Sequence, residues 1–290
     1  MALRTMENGD LRVTVSDHGA ELTSVWDKKR DQERIWTGDP AVWNRHAPIL
    51  FPFVGKVTGG AYRLGEREYA MKTQHGFARD MDFECVQAED SRIVHRLTAT
   101  EATREIYPFD FELTVSHVLP REGRSLKVEW RVKNLGAGTM FFSIGGHPGF
   151  MPPAGKSKED MSISFPGMAS LHYVSSNPAG FALPERHDLT LTDEKIPYRE
   201  DIPETWIFED GQVKSVGLAG PDGERWVRMD CEGFPILAVW ANPKGPFICL
   251  EPWFGRTDDA GFTGTMDRKK DMQAISAGEA RDIAYGICFY

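Results

Sequence analysis

The eight residues Ser125-Leu-Lys-Val-Glu-Trp-Arg-Val132 alternate strictly between polar and apolar side chains. Successive side chains of a β-strand point to opposite faces, so the apolar residues share one face and the polar residues share the other. This pattern is typical of an antiparallel strand with one face in a core and one face in water. The stretch therefore predicts a half-solvated β-sheet.

The same period of two recurs along the whole chain. It appears in LRVTV from Leu11, FELTV from Phe111, MSISF from Met161 and RWVRM from Arg225. Near the end of the chain, ILAVW, PFICL and IAYGICFY are more continuously apolar. With 28 glycines and 18 prolines available for turns, the pattern predicts an all-β fold, a large β-sandwich with few short helices. We expect a single domain over residues 1–290.

Two segments depart from the alternation. Asp39 stands before Pro40, and this pair predicts one short helix around residues 40–45 with Asp39 as its cap. The segment from about Met151 to Asp201 is rich in Pro, Ser, Lys and Asp. We interpret it as long loops on the sandwich, because strands with the same alternation lie on both sides of it.

Composition and charge exclude several classes of function. The chain has 290 residues, of which 41% are hydrophobic and 27% charged, as in ordinary globular proteins. A net charge of −9 argues against a nucleic-acid or anionic-membrane partner. The first residues lack the apolar core of a secretory signal, and no run approaches the roughly 20 apolar residues of a membrane helix. We therefore expect a cytoplasmic protein with a small-molecule substrate.

The four cysteines, Cys85, Cys231, Cys249 and Cys288, lie far apart in the sequence. They form no CxxC pair, so neither a zinc knuckle nor a disulfide framework is indicated. We expect buried thiols.

One histidine stands among glycines and before a proline, in Gly145-Gly-His-Pro-Gly-Phe150. Glycine removes side-chain bulk beside the backbone, and Pro148 disfavours a helical conformation of the residue that precedes it. Strand parity places His147 on a small, polar face, opposite Phe142 and Ile144. Such a histidine can serve a functional site or satisfy a hydrogen bond in a core.

A glutamate lies in the apolar stretch Pro246-Phe-Ile-Cys-Leu-Glu-Pro-Trp253. Parity places Glu251 on one face with Cys249 and Trp253. An unpaired carboxylate is costly to bury, so this face must open on a cavity or meet a partner. The alternative to a functional role is a buried salt bridge to an arginine, for which the candidates are Arg79 and Arg256.

A histidine and a glutamate on opposite walls of a cleft suit proton transfer. Imidazole titrates near neutrality, and a partly desolvated carboxylate can be raised toward it. A metal site is the alternative, because His75, His147 and Glu251 formally supply the two-histidine, one-carboxylate set that binds non-haem iron. Such sites commonly draw two ligands from one short motif, which these three residues do not provide.

Aromatic side chains offer flat apolar faces on which the C–H groups of a sugar ring can lie. Packing in the core is the default for any one aromatic residue. The candidates for a sugar-facing role are Trp43, Phe77, Trp206 and Trp253.

Taken together, three stretches resemble the aldose 1-epimerase (galactose mutarotase-like) superfamily, and most closely its LacX-like bacterial branch. In chain order they are HGFAR from His75, GGHPGF from Gly145 and LEPWFG from Leu250. The segment LFPFVGK from Leu50, followed by AYRL and EY, looks like the family's usual lead into its first histidine. The resemblance extends from about Leu11 to Tyr290.

The resemblance implies an antiparallel β-supersandwich and a reaction that interconverts the α and β anomers of a free sugar without cofactor or metal. It implies that Glu251 is the general base at the C1 hydroxyl and that His147 is the general acid at the ring oxygen. His75 is then expected to hydrogen-bond the sugar near that oxygen, with Arg79 close by and Trp253 as a wall. We expect a monomer or a homodimer.

Two departures from the family pattern concern the substrate. Relatives often have Gly-Arg where this chain has Gly55-Lys56, and lysine is a point charge without a planar fork, so the substrate contact expected at Lys56 is in doubt. The family's hydroxyl-binding aspartate has no matching motif, and its role is not assigned to Asp210. A free hexose or related aldose is the expected substrate. The alternatives are a hexose 6-phosphate, bound through Lys56, Arg79 or Arg256, and a non-catalytic sugar-binding protein.

Overall fold

A computed structural model describes residues 2–199 and 205–290. Met1 and residues 200–204, which fall within the predicted domain, lie outside the described residues. The first strands are β1 (Leu3–Glu7), β2 (Leu11–Ser16), β3 (Leu22–Asp27), β4 (Gln32–Glu33), β5 (Ile49–Leu50), β6 (Ala61–Leu64), β7 (Arg67–Ala70), β8 (Glu84–Glu89), β9 (Arg92–Thr98), β10 (Phe111–Val118), β11 (Ser125–Asn134), β12 (Met140–Phe142) and β13 (Ile144–Gly146). They are followed by β14 (Gly149–Phe150), β15 (Ser162–Ser164), β16 (Ser170–Ser176), β17 (Ala182–Thr190), β18 (Lys195–Pro197), β19 (Thr205–Phe208), β20 (Ser215–Ala219), β21 (Arg225–Asp230), β22 (Ile236–Trp240), β23 (Ile248–Phe254), β24 (Gln273–Ile275) and β25 (Ala280–Phe289). The α-helix α1 covers Glu101–Ile106, and 3-10 turns cover Thr58–Gly60, Ala78–Asp80, Lys158–Asp160 and Met266–Arg268.

Two large sheets form the body of the molecule. One has the strand order β18-β15-β20-β21-β25-β11-β10-β9-β8, and the other β17-β16-β19-β22-β23-β13-β5, with β14 also paired to β23. Strands β1 to β4 form a smaller sheet, and β6-β7 and β12-β24 form two ribbons. All these strand pairs are antiparallel. The predicted all-β, antiparallel sandwich is confirmed.

The stretch from Ser125 behaves as its alternation predicts. In β11 the side chains of Leu126, Val128, Trp130 and Val132 are all buried, while their neighbours are exposed or half-buried. Strand β11 lies between β10 and β25, inside the larger sheet. One apolar cluster contains residues of both large sheets, from Met6 to Phe289. The single domain over residues 1–290 stays a prediction.

The helix predicted around residues 40–45 is wrong, because residues 40–42 form a turn. The Asp39 carboxylate accepts from the backbone N–H of Ala41, and the Asp39 carbonyl accepts from Val42 and Trp43. The chain then leaves the turn because the Trp43 indole packs against Trp240. We therefore attribute the conformation of this segment to tertiary contacts.

The helix α1 was not predicted. Thr100 caps it, and the side chains of Thr100 and Thr103 each accept a hydrogen bond from the other's backbone N–H. A six-residue helix shows too little of the 3.6-residue period to be recognised, and here the capping box is closed by threonine rather than by Glu or Gln. In the described part of the chain, no helix is long and apolar enough to cross a membrane.

The loop interpretation of residues 151–201 is wrong. The segment contains β15, β16, β17 and β18, while Glu200 and Asp201 at its end lie outside the described residues. Strands β17 and β18 are the outermost strands of the two large sheets, and most side chains of β17 are exposed. Edge strands tolerate proline and charged residues, so β17 lacks the alternation that marks a half-buried strand.

All four cysteines are free thiols, and Cys231 and Cys249 are buried as predicted. Cys85 and Cys288 are half-buried.

Candidate active site

The pairing of three short strands brings the glycine-rich histidine motif onto the glutamate motif. Gly145 pairs with Trp253 in β13 and β23, and Gly149 pairs with Cys249 in β14 and β23. His147 lies midway between the two glycines and therefore opposite Glu251. The Nε2 atom of His147 is 3.3 Å from Oε2 of Glu251.

The three glycines of this motif permit close approach of neighbouring groups. A Cβ atom on Gly145 would lie 2.4 Å from Cδ1 of Trp253, and one on Gly146 would lie 2.7 Å from the Tyr285 hydroxyl. A Cβ atom on Gly149 would lie 2.9 Å from the Phe247 ring. None of the three has a positive φ, so they are required for space and not for a left-handed backbone.

Burial controls the protonation of the central pair. Glu251 is 1% exposed and His147 is 7% exposed. Burial raises the pKa of the Glu251 carboxyl well above its usual range, and the Trp253 indole beside it offsets part of this shift. Burial, assisted by the positive charge of Arg79, lowers the pKa of His147 to about 3. Burial thus favours the neutral form of both groups, a protonated Glu251 carboxyl and an uncharged His147 ring.

The same pair leaves polar atoms free. Within the described ranges, Oε2 of Glu251, Nδ1 of His147 and Nε1 of Trp253 are buried and have no hydrogen-bond partner. Buried polar atoms are usually satisfied, so a cluster of unsatisfied atoms beside a cavity marks a place for a polar ligand.

His75 is fixed as a hydrogen-bond donor. Its Nδ1 accepts from the backbone N–H of Gly55 at 3.0 Å, so in the neutral ring the proton is on Nε2. The ring is neutral because burial lowers the pKa of His75 well below its usual value, with His147 and Arg79 adding to the effect. The ring centroids of His75 and His147 are 5.5 Å apart. Its Nε2 contacts the Gln74 side-chain amide at 2.9 Å, so a ligand that uses the Nε2–H group has to replace this contact.

The backbone holds His75 tightly. Its φ of 67° is in the left-handed region, which is uncommon for a residue with a side chain. A Cβ atom on the next residue, Gly76, would lie 2.3 Å from the Phe51 carbonyl oxygen. Backbone strain of this kind is often found at functional sites.

Arg79 lines the same cavity. Burial and the nearby charge of Arg45 lower the pKa of its guanidinium. Its Nε lies 3.8 Å from the Asp80 carboxylate, beyond hydrogen-bond distance, and has no hydrogen-bond partner in the described parts of the chain. Arg45, in contrast, donates to the Arg79 carbonyl and to the Asp80 carboxylate. Of the two arginines, Arg79 therefore keeps donors for a ligand.

A cavity of about 420 Å³ opens over these groups. It brings together His75, Arg79, His147, Glu251 and Trp253, five of the six predicted site residues. The remaining lining residues are Trp43, Asn44, Arg45, Gly55, Gln74, Ser176, Gly180, Thr205, Ile207, Trp240, Asn242 and Thr257.

Two of the four aromatic candidates, Trp43 and Trp253, line the cavity. Trp43 lies over the His147 ring with centroids 4.9 Å apart, and Trp240 lies edge-on to it at 5.3 Å. The other two predictions are wrong. Phe77 packs in the core against Phe51, and Trp206 packs against Tyr173 and Phe208.

Lys56 lies outside the lining of this cavity. Its Nζ donates to the Ala179 carbonyl at 2.8 Å and faces a neighbouring groove. Asp210 lies on the surface with ion pairs to His172, Arg186 and Lys270.

The arginine salt bridge that was the alternative for Glu251 is not found in the described parts of the chain, where the titratable neighbour of Glu251 is His147. Arg256 pairs with Glu209 and Asp259.

The predicted metal-ligand set also differs from the observed arrangement. The ligand atoms that lie within 4.8 Å of one another belong to His147, Cys249 and Glu251, without His75. The Nδ1 atom of His75 is held by Gly55.

Several lining residues carry no clear signal in the sequence. Trp240 ends the predicted strand ILAVW, and its register opposite Cys249 becomes visible only once β22 and β23 are paired. Gln74 directly precedes the predicted His75. Asn44, Thr205 and Asn242 lie in or beside loops, where no periodicity marks a position.

Comparisons with known proteins identify the family of the chain. Residues 3–208 match the family model described as aldose 1-epimerase. The plasmid-encoded protein LacX of Lactococcus lactis subsp. lactis is 32% identical over 97% of both chains.

Solved structures share the whole fold. A galactose mutarotase related enzyme from Lactobacillus acidophilus superposes with a TM-score of 0.92 at 31% identity, covering 100% of this chain and 97% of the other. A galactose mutarotase-like protein from Lactobacillus casei gives a TM-score of 0.91 at 32% identity over 100% of both chains. The resemblance found in the three sequence motifs is confirmed, and the chain belongs to the aldose 1-epimerase family.

Proposed function

We propose that this protein interconverts the α and β anomers of a free aldose, through ring opening and closure by general acid/base catalysis. The observation that carries the proposal is the His147–Glu251 pair. It is buried, its side chains are 3.3 Å apart, and it presents unpartnered polar atoms to a cavity. Ring opening requires one proton to be removed and another to be delivered at a different oxygen, which two fixed groups can do without releasing a free alkoxide.

The proton on Glu251 accounts for both roles. Its transfer across the pair produces a Glu251 carboxylate and a His147 imidazolium. That state has the same net charge, but it separates two opposite charges in a buried site, so their mutual attraction and hydrogen bonds from the sugar have to offset the desolvation. The carboxylate then removes the proton of the C1 hydroxyl, and the imidazolium protonates the ring oxygen. Ring closure reverses the two steps and restores the pair.

His75 and Arg79 are proposed to hold the sugar. The Nε2–H group of His75 donates toward the ring oxygen, where charge develops during ring opening, and the free donors of Arg79 bind neighbouring hydroxyls. A buried charged donor stabilises developing negative charge strongly, because little water competes for it. Trp43, Trp240 and Trp253 supply apolar walls for the C–H faces of the ring.

A free, uncharged sugar fits the charges around the cavity. Of the cationic residues in the lining, Arg45 is held by Asp80, which leaves Arg79. Lys56 is directed to the Ala179 carbonyl. These pairings favour a neutral hexose over a hexose 6-phosphate.

Polarimetry tests the proposal directly. We would follow the mutarotation of freshly dissolved α-D-glucose and α-D-galactose with wild type, Glu251→Gln, His147→Ala and the exposed control Glu66→Gln. We expect wild type and the control to accelerate mutarotation, and each site variant to lose about 10²- to 10⁴-fold. Acceleration that persists in Glu251→Gln would contradict the proposed chemistry. If wild type binds either sugar without accelerating its mutarotation, the protein is a sugar-binding protein. If it accelerates the mutarotation of hexose 6-phosphates alone, the substrate is a hexose 6-phosphate and not a free hexose.

A further inference from the structure

The third member of the central side-chain cluster has no part in the proposed reaction. Cys249 is a free thiol with no exposed surface, packed beside Trp36 and Phe247 behind the catalytic pair. Its Sγ atom and the ligand atoms of His147 and Glu251 lie within 4.8 Å of one another. We propose that His147, Cys249 and Glu251 form a binding site for a thiophilic divalent cation such as Zn²⁺, and that the bound cation inhibits the protein.

The geometry is close to that of a zinc site with three protein ligands. Zn–N and Zn–O bonds of about 2.0–2.1 Å in a tetrahedron place the two ligand atoms about 3.3 Å apart. The observed separation of Nε2 of His147 and Oε2 of Glu251 is 3.3 Å. The Sγ atom of Cys249 lies within 4.8 Å of both other ligand atoms and has to move toward them to reach the longer Zn–S distance of about 2.3 Å. The fourth position then faces the cavity, where water can occupy it.

Charge balance supports the same set of ligands. On binding, the Cys249 thiol and the Glu251 carboxyl each release one proton, and His147 coordinates as the neutral ring. Two anionic ligands then neutralise the two charges of Zn²⁺, so the buried site gains no net charge. This donor set of one nitrogen, one sulfur and one carboxylate oxygen also favours zinc over magnesium and calcium, which prefer oxygen ligands.

A second cluster of possible ligands is less suitable. Asp17, Cys85 and His95 also place their ligand atoms within 4.8 Å of one another. There, Arg4 donates to both carboxylate oxygens of Asp17, and His95 contacts one of them at 3.0 Å. A metal would have to displace the Arg4 guanidinium. At the central cluster, Oε2 of Glu251 has no hydrogen-bond partner among the residues that the structure describes.

Inhibition follows from the atoms that the cation uses. A cation coordinated by His147 and Glu251 engages the lone pairs that the proposed mechanism needs for proton transfer. Inhibition therefore depends on the proposed function, whereas cation binding does not. The sugar, which occupies the same cavity, should weaken cation binding.

Cobalt substitution tests the binding site without reference to activity. We would titrate metal-free wild type with Co²⁺ and record the near-ultraviolet thiolate-to-cobalt charge-transfer band. The same titration would be made with Cys249→Ala, Cys249→Ser, Cys85→Ala and Cys231→Ala, of which the last removes another buried thiol. We expect a saturable band with one equivalent in wild type, Cys85→Ala and Cys231→Ala, and no band in either Cys249 variant.

Zn²⁺ inhibition of sugar mutarotation is the second measurement. We expect reversal by EDTA, and an inhibition constant that rises by about tenfold or more in the Cys249 variants. A band that persists without Cys249, a band lost with Cys85, or no band in wild type would overturn the site. If a Cys249 variant fails to fold, the Glu251→Gln variant tests the site instead. We expect its cobalt band to be weaker than that of wild type, because an amide is a poor cation ligand. A cobalt band from a protein inactive on every sugar would support the metal site and contradict the proposed function, so the two failures are distinguishable.

Discussion

His147 and Glu251 occupy directly opposing positions on paired strand segments, and Nε2 of the histidine lies 3.3 Å from Oε2 of the carboxyl. Side chains opposite each other in an antiparallel pair have Cβ atoms about 4.5–5.5 Å apart, so sheet register alone brings these two into contact. Both are buried, and the contact places a protonated carboxyl beside an uncharged imidazole at the base of a cavity.

The dependence of kcat/KM on pH should lack the acid limb that a histidine with an ordinary pKa would produce. Because His147 has a pKa of about 3 in the folded protein, the pair takes up its second, inactivating proton only in strong acid. We expect kcat/KM to change less than about twofold between pH 7 and pH 5, whereas a group with a pKa of about 6.5 would lower it about 25-fold. The measurement is polarimetric kcat/KM at constant ionic strength, after subtraction of the buffer-catalysed rate. An acid limb near pH 6.5 would contradict the buried, neutral imidazole.

Glu251→Gln should stabilise the protein at neutral pH while it removes activity. Because the pKa of Glu251 is raised in the folded state, the unfolded chain binds fewer protons above its own pKa, and wild-type stability falls as pH rises above about 4.5. Gln does not ionise, so the variant avoids this loss. We expect its advantage in unfolding free energy to grow as the pH rises above 4.5. Urea unfolding at pH 4.5 and pH 7 checks this, with Glu66→Gln as the exposed control expected to stay within about 0.5 kcal/mol of wild type.

His117 should make the protein sensitive to acid. It is 2% exposed on β10, and burial lowers its pKa to about 3. Below pH 6.5 the unfolded chain takes up a proton on this residue that the folded chain does not, so stability falls as pH falls toward 3. We expect His117→Leu to reduce the slope of unfolding free energy against pH by about 1.4 kcal/mol per pH unit in this window. The half-buried His187→Leu is the control, and an equal change in both variants would refute the assignment.

Gly145→Ala should disturb the site by moving Trp253. Its Cβ would lie 2.4 Å from the indole, so the ring or the strand must shift. We expect a loss of stability of about 1–3 kcal/mol and a loss of up to about 10²-fold in kcat/KM, because small displacements of positioned groups are costly. Gly286→Ala is the matched control, since no heavy atom lies within 4 Å of its Cβ position in β25. Equal activity of the two variants would show that the Trp253 position does not matter.

Arg79 should contribute more than Lys56 to sugar binding. Arg79 lines the cavity and its Nε has no hydrogen-bond partner among the described residues, whereas Lys56 donates to the Ala179 carbonyl. We expect Arg79→Lys to lower kcat/KM by about tenfold or more through loss of the planar donor fork. Lys56→Ala should change it by less than about twofold. Steady-state polarimetry of both variants decides, and the reverse order would favour a substrate group that reaches the Lys56 groove.

The alternation of apolar and polar residues predicted strands correctly where one face of the strand is buried and the other is exposed to solvent. Strand β11 shows this, since burial follows every apolar residue from Leu126 to Val132. Alternation failed to predict β17, because this edge strand is mostly exposed and can carry Pro184 and charged residues. The capping pattern failed at Asp39, where the packing of Trp43 ends the turn before a helix can form.

The sequence by itself determined the all-β class, the family motifs and the residue types available for proton transfer, because period-two alternation and local backbone restrictions depend only on neighbours along the chain. Tertiary structure alone decided which groups meet. Strand register placed His147 opposite Glu251 and close to Cys249, and a hydrogen bond to the Ala179 carbonyl holds Lys56 outside the cavity lining. The tertiary structure also fixed the protonation of the pair, because burial depends on the surrounding sheets, and no local stretch of sequence specifies what will cover it.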